Sequence, residues 1–68
     1  MNPNRYLCQF RDLDQDYFIT DCAFEHLGQA WRYVRRIVTA LASVAEGQIF
    51  DAETREIVKG PISRDNYI

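Results

Sequence analysis

Glycine, proline and cysteine are all scarce in this chain of 68 residues, at three, two and two, and there is one histidine. The glycines, Gly28, Gly47 and Gly60, are widely separated, which excludes a glycine-rich loop that cradles phosphate. Two cysteines, Cys8 and Cys22, are too few for the disulfide framework of a small secreted domain; they read as small buried hydrophobes in a reducing compartment. No apolar run approaches the roughly 20 residues that cross a bilayer. Behind the opening Met-Asn-Pro-Asn-Arg no segment has the form of a signal-peptide core, so the expectation is a cytoplasmic protein without membrane contact. Positive charge is also short. Lys and Arg total 8 against 10 Asp and Glu, giving a net charge of -2 and a pI near 5.1. That balance disfavours sequence-independent binding of nucleic acid, which needs a basic footprint.

What is present is a globular composition, 47% hydrophobic and 26% charged, in a length suited to one domain. A chain this short buries only about 60% of the surface its unfolded form exposes, so self-association would add to a thin margin of stability. The domain is read over 1–60, with 61–68 as a C-terminal tail or docking arm. Regular structure is expected to stop at Gly60-Pro61, because proline lacks the donor a strand ladder needs.

Hydrophobic spacing predicts one long amphipathic helix from about Cys22 to Val44. Phe24, Leu27, Ala30, Trp31, Val34, Ile37, Val38 and Leu41 recur at intervals of three and four, while Glu25, Gln29, Arg32, Arg36 and Ser43 fall on the other side. Thr20 or Asp21 is placed to cap its first turn, and Glu46-Gly47 to close it, with Gly47 as a left-handed stop. Gly28 costs about 1 kcal/mol of helix propensity relative to Ala, which predicts a close backbone neighbour there.

On either side lie strand signals. Arg5–Arg11 alternates, with Tyr6, Cys8 and Phe10 on one face and Leu7 as an apolar misfit among the polar residues of the other. Asp16–Thr20 reads as a second strand after a hairpin loop at Asp12–Asp16, and Gln48–Phe50 and Arg55–Val58 flank a turn at Asp51–Thr54. The predicted fold is α+β: a ββαββ unit with a four-stranded antiparallel sheet, order 2-1-3-4, and the helix on one face. The alternatives are a parallel pairing of strands two and three, or a fifth strand from Asn66-Tyr67-Ile68.

One helix covers one face of a sheet, yet Tyr6, Leu7, Phe10, Tyr17, Phe18, Ile19, Ile49, Phe50, Ile57 and Val58 are too many large apolar side chains for one face. The surplus predicts a protein partner or a homodimer. Candidate contacts are Tyr17 and Phe50 from the strands and Arg32, Arg35, Arg36 and Tyr33 from the outer helix flank; the arginine flank also supports an alternative, nucleic-acid contact. Metal and catalytic chemistry are not expected. Cys22 and His26, four apart, would stack on a helix as a ligand pair or thiolate–imidazole pair, but no fourth ligand and no oxyanion-stabilising loop accompany them. The acidic loop Asp12-Leu-Asp-Gln-Asp16 has the first three ligand positions of a calcium loop, then Tyr17 where glycine is needed and Ala23 where the closing Glu is needed. No cofactor, metal or enzymatic activity is assigned.

The strand, turn and aromatic strand around Asp14-Gln-Asp-Tyr-Phe-Ile19 resemble the ββα opening of small antitoxin domains of the HicB type. The resemblance covers less than half of the chain, and the turn glycine and the Pro-Gly stretch before the helix are missing, so it implies a ββα opening and no activity. By analogy at the level of fold, small ββαββ proteins of bacteria and phages act by binding other proteins, which suggests a regulator.

Overall fold

In the computed structural model, residues 4–65 are described. The chain runs β1 (Tyr6–Asp12), β2 (Ile19–Phe24), α1 (Leu27–Ala40), β3 (Val44–Asp51) and β4 (Glu56–Ile62). The strands form one sheet in the order β2-β1-β3-β4, and every neighbouring pair is antiparallel. The predicted ββαββ topology and strand order are those the chain adopts. The fifth-strand alternative at Asn66–Ile68 lies outside the described residues.

Alternation decides which side chains meet the helix. Cys8 stands opposite Cys22 and Ile49, and Phe10 opposite Ile19 and Gly47, so these positions share the helix-facing side. The core joins Cys8, Phe10, Val44, Ile49 and Ile62 of the sheet to Ala30, Val34 and Val38 of α1. Leu27, Trp31 and Ile37 pack at its edge, and the Lys59 ammonium lies 5.5 Å from the Trp31 ring centroid.

The helix is shorter than its periodicity suggested. Cys22–Phe24 belongs to β2, where Cys22, Ala23 and Phe24 pair with Cys8, Leu7 and Tyr6. Cys22 and Phe24 fit an alternating strand as well as a helical stripe, and pairing with β1 satisfies the backbone of a segment that the helix would have left at its frayed end. The helix therefore begins after His26, which takes the N-cap position without a side-chain bond, and not at a cap from Thr20 or Asp21. The second strand is displaced likewise: Asp16–Phe18 falls in the loop, and the strand starts at Ile19.

Gly47 does not stop the helix either. It lies within β3 beneath α1, and a β-carbon there would stand 2.8 Å from both Val34 Cγ1 and Val38 Cγ2. The close approach expected at Gly28 occurs here instead; nothing lies within 4 Å of a β-carbon built at Gly28. Nor does the last strand end at Gly60-Pro61. β4 continues through a cis Gly60-Pro61 peptide to Ile62, which pairs with Gly47 and is buried. Proline is tolerated because β4 is an edge strand, and Gly60, at φ +89°, carries its backbone where a β-carbon would stand 2.7 Å from the Gly47 carbonyl oxygen. Beyond the strand, Arg64 Nη2 donates to the Leu41 carbonyl at 2.8 Å, tying this segment to the end of the helix.

Candidate interaction surfaces

The sheet side away from the helix carries a row of four apolar residues, one from each strand. Leu7 pairs with Ala23 on one flank and Phe50 on the other, and Phe50 pairs with Ile57. Ala23, Leu7 and Phe50 are half-buried; Ile57 is 49% exposed, with Val58 beside it in β4 at 37%. Leu7, the misfit of its strand's polar face, is thus the centre of an apolar row.

The neighbouring row is polar. Gln48 Nε2 donates to Gln9 Oε1 at 2.8 Å, and Gln9 Nε2 donates to Thr20 Oγ1 at 3.2 Å. Beyond it Arg11 Nε reaches Glu46 Oε1 at 3.0 Å. The amide chain and the ion pair make this flank a polar rim beside the apolar row, with the Gln48 Oε1 buried and without a partner among the described residues.

The helix presents the second surface. Arg32, Arg35 and Arg36 are exposed on its outer side, one turn apart or adjacent, and among the described residues neither Arg32 nor Arg36 forms an ion pair. Tyr33 is turned away from them. Its ring meets Phe24 at 5.6 Å and Phe10 at 6.1 Å between centroids, and its hydroxyl donates to Asp21 Oδ2. That bond raises the Tyr33 hydroxyl above the usual tyrosine range. Tyr17 is exposed in the loop between β1 and β2. The candidate contacts are therefore dispersed: Phe50 on the open sheet face, the arginines on the helix, Tyr33 against Phe24 and Asp21 of β2, and Tyr17 in the loop before that strand.

A cleft of about 310 Å³ opens on that β2 side. The helix packs chiefly over β3 and β1 and less over β2, which leaves Ile19 48% exposed. Phe10, Ile19, Ile37, Leu41 and Val44 give the cleft its apolar walls. Sequence reasoning missed it because β2 and α1 were both misplaced around Cys22, and the cleft is made by the offset between them.

The cysteines face one another across β1 and β2 as free thiols. Burial pushes the Cys8 thiol up to about 12, and burial followed by the Asp21 charge raises Cys22 as well. Cys22 and His26 are not one helical turn apart, since one is in a strand and the other at the helix N-cap. The premise of that pair is lost; His26 Nε2 instead lies 3.1 Å from Glu25 Oε1 at the surface. The acidic loop is held as a hairpin connection: Gln15 N–H donates to the Asp12 carbonyl, Leu13 N–H to the Ser43 carbonyl, and Arg11 Nη1 to the Gln15 carbonyl.

No helix among the described residues is long and apolar enough to cross a membrane. A scan against protein-family models and searches of curated proteins and of solved structures find no match to the chain.

Proposed function

We propose that this chain is a small, non-enzymatic protein-interaction or regulatory module that self-associates through the open face of its sheet. The observation that carries this reading is the row Ala23, Leu7, Phe50 and Ile57, which crosses all four strands beside a polar row of Gln48, Gln9 and Thr20. Pairing two such faces removes apolar surface from water at about 25 cal/mol per Å², a gain that a chain of this length lacks in its own core. A cytoplasmic address belongs to the reading and is supported by the two free thiols.

Size-exclusion chromatography with light scattering tests it. The expected mass at high micromolar concentration is twice the 8.0 kDa of one chain, and Ile57→Glu, at the exposed end of the row, returns the chain to a monomer. A wild-type monomer throughout that range would remove the proposal.

The second reading, nucleic-acid contact through Arg32, Arg35 and Arg36, is favoured by their grouping on one exposed helix flank. The acidic net charge of -2 weighs against it. A mobility-shift assay on DNA and RNA at low salt decides: no shift there ends this reading.

A further inference from the structure

Cys8 and Cys22 stand directly opposite one another in the β1–β2 ladder, on the side of the sheet that meets the helix, and both are free thiols. Their settings differ. Cys8 is fully buried, its Sγ donating to the Ala30 carbonyl at 3.7 Å beneath the helix, whereas Cys22 is half-buried on the edge strand β2. A reagent in solution meets Cys22 first, and the register then holds Cys8 as the nearest thiol to whatever Cys22 carries. Backbone geometry suits a bond between the two sulfurs. Residues directly opposite in an antiparallel pair have α-carbons about 4.5 or 5.5 Å apart, inside the range of about 4.4–6.8 Å that disulfides span. Opposed β-carbons stand about 4.5–5.5 Å apart, roughly 1 Å wider than in a disulfide. β2 is the strand placed to yield that distance. It pairs with β1 alone, Asp21 is left over as a bulge between the Cys8–Cys22 and Gln9–Thr20 pairs, and the helix packs less over it than over β1 and β3.

We infer that Cys8 and Cys22 form a cross-strand disulfide when the chain meets a peroxide, with Cys22 as the attacking thiol and Cys8 as the resolving one. Cys22 gives up its proton and attacks one peroxide oxygen; the O–O bond breaks, Cys22 becomes a sulfenic acid, and the departing hydroxide takes the proton as water. Cys8 then gives up its proton and attacks the Cys22 sulfur. The S–S bond forms as the S–O bond breaks, and the second hydroxide leaves as water with the Cys8 proton. Two thiols lose two electrons, and one peroxide gains them. Burial holds both thiols above their ordinary range, Cys8 at about 12, so little thiolate is present at neutral pH and the bridge closes slowly, under sustained oxidant. Once closed, it fastens β2 to β1 by more than their ladder. The pair lies on the helix side of the sheet, so the inference does not depend on self-association through the open face.

The test treats the folded full chain with excess hydrogen peroxide, removes the oxidant with catalase, blocks remaining thiols with N-ethylmaleimide in denaturant and maps the digest without reductant by mass spectrometry. The expected product is a linked pair of peptides holding Cys8 and Cys22, about 2 Da lighter than the two thiol peptides together, which dithiothreitol separates. In Cys8→Ala, dimedone should trap the sulfenic acid on Cys22 at least about tenfold more than in the wild-type chain, where Cys8 consumes it. If that variant does not fold, the wild-type map decides. Oxidised wild-type protein should also unfold at a higher urea concentration than reduced protein, with the lower midpoint restored by dithiothreitol. Both thiols still free after prolonged exposure, sulfinic acid on Cys22 beside a free Cys8, or a Cys22 link between two copies would each overturn the inference. So would a lower urea midpoint for the oxidised chain, because it would show a bridge that the native register does not accommodate.

Discussion

Asp51 gathers donors from two directions at the root of the β3–β4 turn. Arg5 meets it with Nε and Nη2, each at 2.8 Å, and the backbone N–H of Glu53 reaches Oδ1 at 2.9 Å, while the side chain is almost wholly buried. The Arg5 bonds hold this carboxyl well below the usual carboxylate range. A folded pKa below the unfolded one contributes stability that is fully present above the unfolded value, near 3.9, and is lost as pH falls from there through the lower folded value. Asp51→Asn should therefore be less stable than wild type at pH 7, and the two urea midpoints should converge as pH drops from about 5 to 2; parallel curves would show that the charge contributes nothing. Thiol chemistry belongs to this scale too. Cys8 is fully buried and Cys22 half-buried, both with raised pKa, so iodoacetamide should label native protein slowly and at Cys22 first, with Cys8 modified only on unfolding. Mass spectrometry of quenched time points reads the order, and early labelling of Cys8 would contradict its burial beneath Ala30.

The elements owe their limits to pairing more than to local signals. The helix has no side-chain cap at His26, no acidic residue in its first turn and no basic one in its last, so little in its own termini marks where it begins and ends. Its inner stripe was legible all the same: Ala30, Val34 and Val38, spaced by four, are its buried positions. What periodicity cannot show is where a helical stripe gives way to a strand when Phe24 and Cys22 fit both. The strand that results, β2, decides the cleft, and β3 decides how near the helix can come. Gly47→Ala would press a methyl to 2.8 Å from Val34 and Val38 and to 3.0 Å from Phe10, all in the packed core. The expected loss is about 1–3 kcal/mol by denaturant titration, with the helix lifted rather than unfolded. An unchanged midpoint would mean that the helix rests elsewhere. Gly28→Ala, with open space around it, should go the other way by about 1 kcal/mol.

For the whole molecule, the consequence is a sheet with one covered side and one that is half apolar, half rim. A stable interface buries about 800 Å² per partner. If two copies pair there, thermal midpoints should rise with protein concentration, and Ile57→Glu should abolish that dependence. A concentration-independent midpoint for the wild-type chain would argue against pairing. Composition and alternation alone determined the α+β class, the strand order, the inner helix stripe and the presence of more apolar strand surface than one helix covers. These follow from local periodicity, chain direction and the limited reach of one helix. Only the tertiary structure decided where that surplus lies. Register sets Leu7 between Ala23 and Phe50, and the offset of α1 from β2 opens the cleft beside Asp12 and Asp21. Both depend on which residue stands opposite which across strands distant in sequence, and such pairing is fixed by packing the core as a whole, not by any segment on its own.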